Sequence, residues 1–116
     1  IETVEALQNL DAILDVPGID AVYVGPADLS ISLGLAPGVD NDHQSFVDAI
    51  DAILAGTAKR GIAAGIHSSP DVAGKRVEQG FKMVTVTSDL TALASGAISA
   101  LKGVRGGGSA GEKRVY

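Results

Sequence analysis

Two patterns of hydrophobic residues alternate along this chain. Stretches with apolar residues every three or four positions, typical of amphipathic helices, alternate with short apolar runs typical of buried strands. The helical spacing covers residues 4–16, 43–60, 71–79 and 89–104, and the strand-like runs cover residues 19–25, 62–67 and 81–87. Because each strand–helix–strand crossover is right-handed and lays its helix on the sheet, this alternation predicts a parallel sheet covered by helices.

Helix-capping residues define the ends of these segments. Thr3 is a predicted N-cap, and either Ser88 or Asp89 is expected to cap the last helix. Gly61 and Gly80 follow the second and third helical patterns, where a glycine commonly ends a helix in the left-handed conformation. The caps and the periodicity therefore predict the same four helices.

Three stretches fall outside the pattern. Ile1-Glu2-Thr3 has the character of the last residues of a strand. Residues 26–39 contain glycines and prolines that argue against a long helix, so we predict a loop with at most one helical turn over residues 29–33. Residues 105–116 begin with a glycine-rich run, which predicts a flexible linker followed by a short tail.

The order of elements fits a small doubly wound sheet or part of a (β/α)8 barrel. A complete barrel typically needs about 250 residues, whereas this chain has 116 residues and offers about four βα units. Because the chain opens on an apparent strand end, we predict an α/β fold that is the C-terminal half of a (β/α)8 TIM barrel, over residues 1–104. An open half barrel leaves its first strand unpaired, so a stable form is expected to require the missing half.

The net charge, the length of the apolar runs and the lack of cysteine argue against several classes of function. The formal net charge of -5 argues against a nucleic-acid partner, because no basic face is available to neutralise phosphates. No apolar run approaches the roughly 20 residues that cross a bilayer, which argues against a membrane-spanning segment. The chain lacks cysteine and opens without a signal-peptide pattern, so we expect no disulfides and a cytoplasmic location.

Polar residues follow the predicted strands at the edge where parallel α/β folds bind ligands. Glu2 and Asp28 follow neighbouring strands, and adjacent strands lie about 4.8 Å apart, so these two carboxylates can share one ion. Oxygen ligands without histidine or cysteine favour a hard cation, Mg²⁺ or Mn²⁺. Two simpler interpretations stay open: Asp28 as a helix cap alone, and Glu2 as a charge in the first helical turn. Two further strand-end pairs are candidates by position, namely His67 with Ser68 and Ser88 with Asp89.

The turn over Gly25, Pro26, Ala27 and Asp28 adds a second feature. A glycine-containing turn into a helix exposes N–H groups that can hold a carboxylate or a phosphate. A metal beside such a turn suits a 2-oxo acid, toward which the metal acts as a Lewis acid. His67, at the end of the next strand, either lines this pocket or is a hydrogen-bonded structural residue.

Several of these blocks together resemble the HpcH/HpaI family, class II divalent-metal-dependent pyruvate aldolases of the phosphoenolpyruvate/pyruvate barrel superfamily. The blocks are Ile1-Glu2-Thr3, residues 9–14, residues 17–21, Gly25-Pro26-Ala27-Asp28-Leu29-Ser30, Gly65-Ile66-His67 and residues 80–89. The resemblance implies that Glu2 and Asp28 are the metal ligands and that the backbone of residues 25–28 holds the substrate carboxylate. It also places His67 in the pocket, where some relatives carry an apolar residue.

The same resemblance implies an activity: cleavage of 4-hydroxy-2-oxo acids, of the 2-keto-3-deoxy sugar acid or 2,4-dihydroxyhept-2-enedioate type, to pyruvate and an aldehyde. The family's arginine and its histidine for acid–base chemistry lie in the other half of the barrel, so no catalytic residue is assigned here. Family members extend their last helix onto a neighbouring subunit and form hexamers, so a homo-oligomer is expected. Two alternatives remain: a non-catalytic half-barrel assembly module, and a lyase of the same superfamily that acts on a CoA ester.

Overall fold

The computed structural model of the chain describes residues 1–105. This part of the chain contains six helices and three strands, where the sequence predicts four helices and three complete strands. They are α1 (Val4–Gln8), α2 (Leu10–Leu14), β1 (Ala21–Val24), α3 (Pro26–Ser32), α4 (Gln44–Arg60), β2 (Ala63–His67), α5 (Ala73–Gln79), β3 (Met83–Thr85) and α6 (Asp89–Arg105). The predicted linker and tail lie outside the described residues from residue 106 onward.

The three strands form a parallel sheet in the order β1-β2-β3. Tyr23 is aligned with Gly65, which is aligned with Met83, and His67 is aligned with Thr85. Side chains alternate between the two faces of a strand, so these five residues share one face, which we call the tyrosine face. The parallel α/β architecture is the predicted one.

The opposite face, which we call the helix face, carries the core of the first compact unit, Ile1–Val86. Val24 and Ile66 have no exposed surface there. They belong to one buried apolar cluster with Phe46 and Ile53 of α4, which are also almost fully buried. Helix α4 therefore covers this face, and its burial contributes a large part of the stability of the unit.

The second compact unit begins at Thr87, and its described part consists mainly of α6. The Ser88 hydroxyl accepts a hydrogen bond from the Thr91 N–H at 3.2 Å, so Ser88 rather than Asp89 acts as the cap. The helix carries large apolar side chains that are exposed in this unit: Leu90, Leu93, Ile98, Leu101 and Val104.

The other predicted boundaries are largely confirmed. Thr3 accepts a hydrogen bond from the Ala6 N–H at 3.0 Å and caps α1. Gly61 and Gly80 end α4 and α5 with φ of 68° and 106°, the left-handed conformation that glycine adopts without strain.

Two predicted segments differ from the structure. The first helix is broken at Asn9, whose φ and ψ of -100° and 12° leave the helical region. Its side-chain amide donates to the Glu5 carbonyl, a local hydrogen bond that competes with helix continuation. The predicted loop over residues 26–39 instead begins with the seven-residue helix α3, because Pro26 is preorganised for the first helical position.

The opening residues form no strand, contrary to the expectation for Ile1-Glu2-Thr3. The Ile1 nitrogen nevertheless donates to the Tyr23 carbonyl at 2.6 Å, so the chain begins alongside β1. This position brings Glu2 next to the end of β1, which is where the sequence placed it.

Candidate metal and carboxylate site

The turn from β1 into α3 forms the centre of the candidate site. Gly25 is the N-cap of α3 and offers no side-chain hydrogen bond, so the cap position does not belong to Asp28. Asp28 is the third residue of the helix, and its carboxylate is exposed in the first turn. The interpretation of Asp28 as a simple cap is therefore wrong, and its side chain is free for other partners.

Glu2 lies directly against this turn. A Cβ atom built on Gly25 would be 2.8 Å from Glu2 Cγ and 2.9 Å from Glu2 Cδ, which is closer than real Cβ contacts come. The Glu2 side chain therefore lies in the space beside Gly25, and a residue with a Cβ at position 25 would displace it. Glu2 also precedes the N-cap Thr3, so it is not a first-turn charge of α1. Folding thus brings both predicted carboxylates to the same turn.

The other residues of the turn differ in their exposure. Pro26 is almost fully buried, and its nitrogen carries no hydrogen, so it can hold the turn in shape but cannot donate to a ligand. Gly25 and Ala27 are half-buried. The first N–H groups of a helix have no intrahelical acceptor, so the backbone of Ala27 and Asp28 keeps donors available at this turn.

His67 is the last residue of β2 and is exposed on the tyrosine face. The strand–turn geometry places it at the same edge of the sheet as the β1–α3 turn. The neighbouring Ser68 is buried, and its N–H donates to the Thr85 carbonyl at 2.8 Å. Ser88 and Asp89 begin α6 in the second unit, and Ser88 acts there as a cap.

The sequence reasoning missed a polar contact on the tyrosine face. The Tyr23 hydroxyl donates to Thr85 Oγ1 at 2.8 Å, across the central strand. The signal was present in the alternation of β1, where Tyr23 stands between two fully or largely buried valines and must face the other way.

A buried arginine was also missed, and it lies on the helix side. Arg76 of α5 is 1% exposed and donates to the Val39 carbonyl, to Asp40 and to Gln79. Burial opposes ionisation of Asp40, but the hydrogen bond from Lys75 and the charge of Arg76 outweigh it, so the pKa of Asp40 lies below its ordinary value. These contacts fasten the segment between α3 and α4 to α5.

The donor set at the turn fits a hard divalent cation. Glu2 and Asp28 supply only carboxylate oxygens, and Mg²⁺ is commonly bound through one or two carboxylates with substrate or water oxygens completing the shell. Within residues 1–105, no three histidine, cysteine or acidic side chains are grouped closely enough to hold a metal by themselves. A site built from this part of the chain would therefore take most of its remaining ligands from elsewhere.

None of the helices in residues 1–105 has the length and apolar character that a membrane crossing requires.

Comparison with known proteins identifies the family. The family model described as HpcH/HpaI aldolase/citrate lyase matches residues 1–96. The chain is 42% identical over 98 residues to a hydroxypyruvate/pyruvate aldolase of Rhizorhabdus wittichii, covering 84% of this chain and 39% of that protein. It is 43% identical over 98 residues to a 4-hydroxy-2-oxo-heptane-1,7-dioate aldolase of Salmonella arizonae, covering 84% of this chain and 36% of that protein.

Solved structures give the same result for the fold. A HpcH/HpaI aldolase/citrate lyase family protein from Burkholderia cenocepacia superposes with a TM-score of 0.81 at 32% identity, over 90% of this chain and 40% of that one. A HpcH/HpaI aldolase from Desulfitobacterium hafniense gives a TM-score of 0.79 at 27% identity, over 97% and 43%. The chain thus spans less than half the length of these relatives, and its sheet is a part of their (β/α)8 barrel, as predicted. It belongs to the HpcH/HpaI aldolase/citrate lyase family.

Proposed function

We propose that this chain forms part of a divalent-metal-dependent aldolase that cleaves 4-hydroxy-2-oxo acids to pyruvate and an aldehyde. The observation that carries the proposal is the position of the Glu2 side chain against Gly25, at the turn that also presents Asp28. The printed names of the relatives support the class of substrate, since they describe aldolases of hydroxypyruvate, pyruvate and a 4-hydroxy-2-oxo diacid. We infer a substrate of the 2-keto-3-deoxy sugar acid or 2,4-dihydroxyhept-2-enedioate type.

Each residue of the turn has a role in this proposal. Glu2 and Asp28 would hold Mg²⁺ or Mn²⁺, which when bound would supply Lewis-acid polarisation of the 2-oxo acid. The N–H groups of Ala27 and Asp28 point out of the first turn of α3 and would receive the substrate carboxylate. Gly25 leaves room for Glu2, Pro26 would hold the backbone, and His67 at the end of β2 would border the substrate pocket.

The activity is proposed for the intact protein that carries this chain, because the relatives are more than twice as long as the matched region. Groups for proton transfer would come from the rest of the barrel. The expected partners are a small 2-oxo acid, an aldehyde and further copies of the protein, but neither nucleic acid nor a membrane. The exposed apolar residues of α6 support a homo-oligomer, for which we propose a hexamer, and a cytoplasmic location belongs to the same proposal.

The test is the release of pyruvate by the intact protein with Glu2→Gln and Asp28→Asn made separately. Each substitution removes one charged metal ligand and is expected to lower kcat/KM by roughly 1,000-fold, about 4 kcal/mol. Each should also weaken Mn²⁺ binding measured by calorimetry. Removal of metal with EDTA should abolish the wild-type activity, and added Mg²⁺ or Mn²⁺ should restore it.

Two matched substitutions serve as controls. Glu5→Gln changes an exposed acid of α1, and Asp20→Asn changes an exposed acid just before β1. Both should retain activity and metal affinity. Unchanged activity in Glu2→Gln and Asp28→Asn at limiting metal would reject the proposed site, and pyruvate release by the isolated chain would show that the other half is dispensable.

A further inference from the structure

The Tyr23 side chain crosses the central strand of the sheet. Tyr23 belongs to β1 and is aligned with Gly65 of β2, yet its hydroxyl bonds to Thr85 of β3. Thr85 is aligned with His67 rather than with Gly65, so the tyrosine leans toward the carboxyl ends of the strands as it crosses. The hydroxyl pair therefore lies on the side of the sheet that leads to the β1–α3 turn.

Gly65 makes the crossing possible. A Cβ atom at this position would be 2.8 Å from Tyr23 Cδ2 and 2.9 Å from Met83 Cε, both too close for an ordinary contact. The Tyr23 ring thus lies directly over the backbone of β2. The side chains of Tyr23 and Met83 pack closely against Gly65 of the central strand. This packing restricts the position of the Tyr23 hydroxyl.

The Tyr23–Thr85 hydroxyl pair retains hydrogen-bonding capacity. Two hydroxyl groups carry two protons, and the single hydrogen bond between them uses one, so one O–H remains for a further acceptor. Both residues are half-buried, so the remaining O–H can be reached by water or by a ligand. His67, the register partner of Thr85, stands beside this pair at the strand end.

We propose that the Tyr23–Thr85 hydroxyl pair recognises a hydroxyl group on the aldehyde portion of the substrate, at a carbon beyond C4, whose own hydroxyl becomes the aldehyde carbonyl on cleavage. The inference rests on the proposed function, which places the carboxylate of the 2-oxo acid at the turn after β1. The remainder of the substrate then extends across the ends of β2 and β3, toward His67 and Thr85. The unused O–H of the pair binds the substrate hydroxyl, and the class of substrate is a hydroxylated aldehyde joined to pyruvate.

The experiment compares two substrates that differ by one oxygen atom. In the intact protein, kcat/KM is measured for the aldol adducts of pyruvate with glycolaldehyde and with acetaldehyde. Tyr23→Phe and Thr85→Val should each lower kcat/KM for the glycolaldehyde adduct by roughly tenfold, which corresponds to the loss of one neutral hydrogen bond. Values for the acetaldehyde adduct should change less than about threefold, since that adduct carries only the C4 hydroxyl, which becomes the aldehyde carbonyl on cleavage, and lacks the C5 hydroxyl that the pair binds. The double variant should lose little more than either single variant, because both act on one pair.

Thr57→Val is the matched control. It removes a buried hydroxyl on the helix side, where Thr57 donates to the Ile53 carbonyl at 2.8 Å. It should lower thermal stability without changing the ratio between the two substrates. A purely structural role of Tyr23 and Thr85 would behave like this control and affect both substrates alike, and that result would overturn the inference.

A second readout separates the inference from the proposed function. Exchange of the pyruvate methyl protons with D₂O, followed by NMR, depends on Glu2 and Asp28 but not on the aldehyde subsite. Exchange that persists in Tyr23→Phe and Thr85→Val alongside the selective loss supports the inference. Exchange with no selective loss overturns the inference alone, and absence of metal-dependent exchange in the wild type overturns the proposed function as well.

Discussion

The two faces of the sheet are built from alternate residues of the same three strands, yet they differ in almost every respect. The helix face is aliphatic, and Val24 and Ile66 have no exposed surface there. On the tyrosine face, Met83 is 51% exposed and Tyr23 makes a hydrogen bond to Thr85 of β3. The helix face therefore holds the buried core, and the tyrosine face is available for ligands or for further chain.

Two glycines of the sheet and the candidate site, Gly25 and Gly65, serve a purpose other than the left-handed turns at Gly61 and Gly80. Gly25 and Gly65 both have φ values that other residues adopt, so neither is required by backbone conformation. At each position a side chain from elsewhere lies where a Cβ would stand: Glu2 at Gly25, and Tyr23 at Gly65. Close approach, rather than chain reversal, explains these two glycines.

The largest expected effect concerns the helix face. Phe46→Ala removes a ring that is 1% exposed and packs with Ile53 in the core. We expect it to lower the free energy of unfolding by about 3–5 kcal/mol, measured by urea denaturation of the intact protein that carries this chain. A loss below about 1 kcal/mol would show that the helix face does not dominate stability.

Gly65→Ala should have the next largest effect, now on the tyrosine face. The new methyl group collides with the Tyr23 ring and the end of Met83, and such overpacking costs about 1–3 kcal/mol. Gly74→Ala is the matched control, because nothing lies within 4 Å of its Cβ position in α5. This control should stabilise the helix by about 0.5–1 kcal/mol. Equal effects of the two substitutions would contradict the close crossing of Tyr23.

The sequence predicted the helix face better than the tyrosine face, and the reason is physical. The 3.6-residue period, Thr3 and Gly61 are local signals, and they located the helices and the parallel sheet. Glu2 and Asp28 could be paired because the sequence placed each at the end of a predicted strand, and parallel strands end at the same side of a sheet. The contact between Tyr23 and Thr85 joins residues 62 positions apart through a glycine, and no local pattern specifies it.

Local competition explains the remaining differences. Asn9 interrupts the first helix by bonding to the Glu5 carbonyl, although the apolar period continues through it. Pro26 starts α3 where the glycines and prolines further along predicted a loop. The buried position of Arg76 depends on hydrogen bonds to Val39 and Asp40, which lie 37 and 36 positions earlier in the chain. No local pattern in the sequence indicates contacts over such a separation.

Asp40→Asn tests the charged contacts on the helix side. The substitution removes the partner of Arg76 and Lys75, and we expect a loss of about 1 kcal/mol near neutral pH after allowance for solvent screening. The folded-state pKa of Asp40 lies below the ordinary value of 3.8, so its stabilising contribution is present above that value and is lost as pH falls through the lowered pKa. The difference in urea midpoint between wild type and variant should therefore disappear in strong acid. A difference that is independent of pH would contradict the ionic origin of the contact.

Met83→Ala should have the smallest effect on the chain by itself. Half of this side chain is exposed on the tyrosine face, so its removal should cost less than about 1 kcal/mol in the 116-residue chain. The same substitution in the intact protein gives a different expectation. If the rest of a barrel covers the tyrosine face, Met83 becomes a core residue there, and its truncation should cost about 2–5 kcal/mol. A larger loss of unfolding free energy in the intact protein than in the 116-residue chain would show that the rest of the barrel covers the tyrosine face. Equal small losses in both would mean that this face stays open to solvent and substrate.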